Sequence, residues 1–162
     1  MKNFILVFLG MTLIILENSV LNYIDIFDLS INMSIIYISI ISLFLKRNQG
    51  AFIGLILGFF KDILIGRFLG INALIFFVIG YVYGILKDKV FKENVMTIVI
   101  LIFFSSIFES FINFIFLKSF FTSSKIIISI YKGFVIIPIL NVVVALFVHK
   151  FLIDFIKKLD NI

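Results

Sequence analysis

At 162 residues, 63% hydrophobic and a mean hydropathy of +1.29, the chain carries more apolar surface than a soluble fold of its size can bury, which excludes a water-soluble globular domain. The formal net charge of +5 comes largely from lysines placed between and after apolar runs, where they match an anionic inner leaflet and call for no nucleic acid. There is no cysteine, so a disulfide framework and a thiolate metal site are both excluded.

The N-terminus reads Met1-Lys2-Asn3 and then turns apolar, as a signal peptide would. No small-residue cleavage site follows, because Glu17-Asn18-Ser19-Val20 is a poor one; the run is expected to be an uncleaved first span, roughly Phe4–Leu21. Five further apolar segments follow: Leu29–Leu45, Gly50–Ile65, Leu69–Leu86, Val95–Leu117 and Ile126–Val148. The expected fold is an all-α integral membrane protein, a bundle of about six short transmembrane helices, since each span takes roughly 20 residues. The chain reads as one polytopic domain over residues 1–162, with short connections and up-down order.

The third segment is short, rising only about 24 Å as a helix against a core of about 30 Å. Gly50–Leu86 therefore either crosses twice, turning at Gly66–Gly70, or dips in as a re-entrant hairpin; its length favours two crossings. With the N-terminus inside, the inner side holds Lys2, Lys46, Arg47, Lys87, Lys89, Lys92, Lys150, Lys157 and Lys158. The outer loops hold Lys61, Arg67, Lys118 and Lys125. This asymmetry predicts cytoplasmic N- and C-termini.

Lys132-Gly133 and Pro138 interrupt the last segment, and Lys132 is close enough to its start to snorkel to the outer interface. Residues 150–162 are expected to form a basic amphipathic cytoplasmic tail. Phe151, Leu152, Phe155, Ile156 and Leu159 share one helical face, with Lys150, Asp154, Lys157 and Lys158 largely opposite. Such a tail would lie on anionic lipid or serve as a handle for a cytoplasmic partner. His149, beside Lys150, reads as an interfacial residue with nothing near it to complete a metal shell.

Three polar patterns interrupt the apolar runs. Gly50, Gly54 and Gly58 repeat every four residues and share a helix face, as do Gly80 and Gly84; such faces pack backbones closely, against this chain or against a partner's helix. Asp62, Gly66 and Gly70 continue the same frame, and Asp62 has Lys61, Arg67 or a partner's cation within reach as counter-ions. Ser105, Glu109 and Asn113 recur at the same interval, broadened by Ser106 and Ser110, a polar stripe that must face the interior, a cavity or another protein; Glu17 and Glu109 are the further acids that a proton relay through Asp62 would need. No nucleophile–base pair, phosphate loop, metal spacing or nucleic-acid motif stands out, so the reading is non-enzymatic, without cofactor or metal.

The order of these features resembles a known family. A first span ends in Leu16-Glu17-Asn18-Ser19. A short loop, a second span and Lys46-Arg47 follow. Then come Gly50, Gly54, Gly58, Asp62, Gly66, and Leu69-Gly70-Ile71-Asn72-Ala73-Leu74, with Gly80-Tyr81 and Gly84 behind. In layout and in this glycine–aspartate–asparagine signature the chain resembles the rod shape-determining protein MreD family. The resemblance implies a multi-pass protein of the bacterial cell membrane that regulates cell shape within the elongation (lateral peptidoglycan synthesis) complex. It implies an MreC-like bitopic partner and, through that partner, MreB-like filaments and the elongation wall synthases. An alternative of another class is the substrate-binding subunit of an energy-coupling factor vitamin transporter, which also has six short spans. Against it, the first segment lacks alanine and holds only Gly10 as a small residue, where such subunits usually carry a small-residue docking motif.

Overall fold

The computed structural model describes residues 2–21, 31–65, 68–120 and 131–160, and among them every regular element is helical. Helix α1 spans Lys2–Leu16 and continues as a wider π-helical turn over Glu17–Leu21. The others are α2, Met33–Ser42; α3, Arg47–Ile65; α4, Ile71–Leu86; α5, Val95–Phe120; and α6, Ile137–Asp160, preceded by a π-helical turn over Lys132–Ile136. Four of these segments are long and apolar enough to cross a membrane; α2 and α4 are shorter apolar helices.

α2 forms the centre. It is uncharged and largely apolar, and every residue from Ser34 to Ser42 is buried, as expected of a helix enclosed by others rather than exposed to lipid. It packs against each of the other five helices. The sequence reading gave this segment spanning length, Leu29–Leu45. The helix stops at Ser42, where Leu43 and Phe44 turn back to bond the Ile40 and Ile41 carbonyls, and Leu29 and Ser30 lie outside the described residues. At about 15 Å it is a buried core helix and not a full span.

α3 corrects the opposite expectation. It begins at Arg47, three residues before Gly50, and its 19 residues reach about 28 Å. α3 and α4 form an antiparallel pair in strict register. A Cβ added at Gly50 would meet the Gly80 carbonyl oxygen at 2.7 Å; one at Gly54 would strike the Phe76 carbonyl, one at Gly58 the Asn72 carbonyl and Ala73 backbone, and one at Gly84 the Arg47 backbone. Each step of four along α3 is matched by a step of four back along α4. Small residues let the two backbones touch where no water-driven force holds helices together.

α6 corrects one more boundary. The segment does not end at Val148 but runs unbroken to Asp160. Pro138 sits just after the π turn, where Ile137 N–H bonds back to the Lys132 carbonyl; the wider turn accommodates the ring that would clash in a tight one. The expected interfacial tail is the last part of this helix. Leu152, Ile153 and Ile156 are buried in the bundle core and Leu159 packs against it, whereas Phe151 is exposed. Its apolar face therefore covers protein rather than lipid. An exposed Lys157–Glu93 pair at 2.6 Å ties it to the connection between α4 and α5, an interaction worth little by itself.

Candidate functional site

The opposite end of the bundle from Lys46, Lys87 and Lys157 holds a half-open cavity of about 310 Å³, lined by residues of the first π turn, the entry to α2, α3, α4 and α5. Its physical origin lies in two helices that begin inside the protein. The first turn of a helix leaves N–H groups without intrahelical partners, and a buried unsatisfied donor costs about 1–3 kcal/mol. α2 and α4 solve this in the same way, each with a carboxylate reaching across from another helix.

At α2 the carboxylate is Glu17. Its Oε2 accepts from Ser34 N at 2.8 Å and from the Ser34 hydroxyl at 2.5 Å, while the Asn32 side-chain oxygen accepts from Ile35 N at 3.2 Å. At α4 the carboxylate is Asp62, 1% exposed. It accepts from Gly70 N at 2.9 Å, Asn72 N at 3.1 Å, Ala73 N at 3.1 Å and the Asn72 side-chain amide at 2.9 Å. A negative charge at a helix N-terminus is favoured by the helix dipole as well as by these bonds. The chain can turn into α4 because Gly70 takes φ +99°, the left-handed conformation that costs glycine nothing.

Lys61 joins the two caps. It neighbours Asp62 in sequence but points to Glu17, with Nζ 2.8 Å from Glu17 Oε1 and 2.9 Å from Asn32 Oδ1, and 5.5 Å from the centre of the Phe76 ring. The network then spreads from Asn32. Its Nδ2 donates to Glu109 Oε1 of α5, and its N–H donates to Asn141 Oδ1 of α6 at 3.0 Å. Asn141 Nδ2 donates to Ser106 Oγ at 2.9 Å. Deeper, Ser105 bonds Ser39 Oγ at 2.9 Å and Tyr83 OH at 2.7 Å, and Tyr83 OH donates to the Leu101 carbonyl at 2.6 Å. Among the described residues no buried side-chain nitrogen or oxygen lacks a partner. That satisfaction is the condition for a polar core in a membrane protein to hold helices together.

The sequence-derived residues therefore divide into groups. Gly50, Gly54, Gly58, Gly80 and Gly84 lie in the α3–α4 contact, so this chain's own α4 occupies the α3 stripe. Gly70 has open space around it and serves the turn, not the packing face. Asn72, Glu17, Lys61, Asp62 and Glu109 meet at the cavity. Of the counter-ions open to Asp62, Lys61 instead pairs with Glu17 as a buried residue of α3 rather than an outer-loop charge, and Asp62 caps α4; a pairing with Arg67 falls outside the described residues. Gly66 and Arg67 lie outside the described residues, as do Lys125 and the loop 22–30. Lys132 stands in the π turn before α6, half-buried. Sequence reasoning missed Asn32, Ser34 and Asn141; a lone asparagine inside the apolar run after Pro138 was the available signal. Gly10, named only as the small residue of the first segment, is buried against the side chains of Leu57 and Tyr37.

This architecture defines a small polytopic helical membrane protein built around a buried polar network. A family profile described as "rod shape-determining protein MreD" matches residues 2–159. The chain belongs to the MreD family, whose members are structural membrane proteins of rod shape determination. This membership displaces the vitamin-transporter alternative. No curated protein and no solved structure compared with the chain gives a match.

Proposed function

We propose that this chain is a non-enzymatic membrane scaffold of the cell-elongation complex. In this reading it is held by helix–helix contacts to an MreC-like bitopic partner and, through it, linked to MreB-like filaments and the wall synthases, with both termini cytoplasmic. Membership of the shape-determining family supports the setting. The observation that carries the mechanism is the engagement of Glu17 and Asp62: both hold helix N-termini, so the buried charges build a fixed shape instead of awaiting a reaction. Because α4 covers the α3 glycine stripe, the partner helix in this reading meets outward-facing side chains such as Phe52 and Phe59 of α3 and the stacked Phe77–Tyr81 pair of α4.

The test is complementation with co-purification. In a rod-shaped host lacking its own MreD-family protein, the chain expressed with its MreC-like partner should restore rods and retain that partner through detergent extraction. Membrane-inserted chain that leaves cells round and retains no partner would reject the proposal.

A further inference from the structure

The charges around the cavity are unequally compensated. Glu17 receives the Lys61 ammonium and two donors from Ser34. Asp62 receives three backbone N–H groups and the Asn72 amide. The Lys61 ammonium has three donors, and two carry oxygen partners while the group lies over the Phe76 ring. Glu109 differs. It is 8% exposed and lines the cavity, and among the described residues its carboxylate takes a single hydrogen bond, from the neutral amide of Asn32 to Oε1. Asn72 lines the same space and donates its Nδ2 to Asp62, which leaves its amide oxygen as an acceptor. Asn113 stands one helical turn beyond Glu109 on the same wall. Among the described lining residues, the carboxylates of Glu17, Asp62 and Glu109 thus stand against the single ammonium of Lys61, beside neutral acceptors.

We propose that this cavity binds a primary ammonium group, seated on Glu109 with Asn72 and Asn113 as its further acceptors. The volume of about 310 Å³ suits a small organic group rather than a bare ion. Among the described residues no set of three His, Cys, Asp or Glu stands together to hold a metal. A guanidinium fits less well, because its planar fork prefers both oxygens of a carboxylate, and Asn32 already occupies Oε1 of Glu109. An ammonium has three separate donors and needs one charged and two neutral acceptors. The group can arrive on a soluble amine or on an ethanolamine lipid headgroup.

The experiment uses the purified full chain in detergent and reads its thermal unfolding midpoint. n-Butylammonium chloride should raise the midpoint saturably, by about 5–10 °C at roughly 100 times its Kd. Tetramethylammonium chloride at the same ionic strength, a cation with no N–H donor, should not. Glu109→Gln should abolish the rise while remaining monodisperse, and Asn113→Leu should weaken it at least several-fold in apparent Kd. Nanodiscs separate the sources. If phosphatidylethanolamine raises the midpoint over phosphatidylcholine and n-butylammonium then adds nothing, the headgroup is the ligand; if only n-butylammonium acts, a soluble amine is. Equal shifts from both ammonium salts, a shift that survives Glu109→Gln, or no shift in either medium would overturn the proposal. The contrast between the two salts on the unmodified chain decides even where a variant fails to fold.

Discussion

The Asp62 carboxylate on α3 accepts hydrogen bonds from both the backbone N–H and the side-chain amide of Asn72 on α4, at 3.1 and 2.9 Å. The two residues are separated by a turn, and their contact closes the end of the α3–α4 pair. Asp62→Ala leaves several donors of the α4 first turn without a partner and should destabilise the protein by about 2–4 kcal/mol. Asn72→Ala removes one of those bonds and should cost about 1 kcal/mol. The double variant should be less harmful than the sum, since both changes delete a shared interaction. Unfolding midpoints in detergent measure this, and strict additivity would show that Asp62 acts elsewhere.

Among the described residues Lys61 is the cation of the buried network, 4% exposed and paired with Glu17. Lys61→Met should be severely destabilising, by about 3–5 kcal/mol, because it leaves a buried carboxylate unpaired. Adding Glu17→Gln to Lys61→Met should recover part of the loss, as both members of the former ion pair are then neutral. Membrane protein levels and unfolding midpoints of the two variants provide the comparison; a double variant worse than Lys61→Met would contradict the pairing.

Glycine substitutions should rank by what the new side chain meets. At Gly54 and Gly58 it meets α4 backbone, which cannot yield without separating the helices. At Gly10 it meets the ends of Leu57 and Tyr37, the nearest at 2.6 Å, which can rotate. Gly54→Leu and Gly58→Leu are therefore expected to lower the amount of folded protein more than Gly10→Leu. Quantitative blotting of membrane fractions reads the order directly.

The end of α6 is expected to act as core. Ile156 is 1% exposed, whereas Phe151 is 69% exposed. Ile156→Ala should cost about 2–4 kcal/mol, and Phe151→Ala should change stability by less than about 0.5 kcal/mol. Equal effects would return the segment to the role of a lipid-surface tail.

The proposed orientation is testable at Asn48, which is exposed at the start of α3 on a chain without cysteine. Asn48→Cys should react with a membrane-impermeant thiol reagent in inverted vesicles and not in intact cells. Labelling in intact cells would reverse the topology.

Some of this protein was determined by sequence alone. Composition dictated a membrane bundle, because no soluble arrangement hides so much apolar surface. The four-residue glycine spacing marked a close-packed helix face, since that interval is one helical turn. The glycine–aspartate–asparagine order marked the family. Tertiary structure decided the rest. Local sequence offered Asp62 two neighbouring cations, Lys61 and Arg67, but not the N-terminus of α4, which reaches it only once α3 and α4 align. Nor could it reveal that α2 is enclosed by the other helices, or that Glu17, Asn32, Lys61 and Glu109, far apart in the chain, share one cavity. Periodicity reports which residues share a face of one helix; what that face meets depends on how the helices cross, and that is set by contacts distant in sequence.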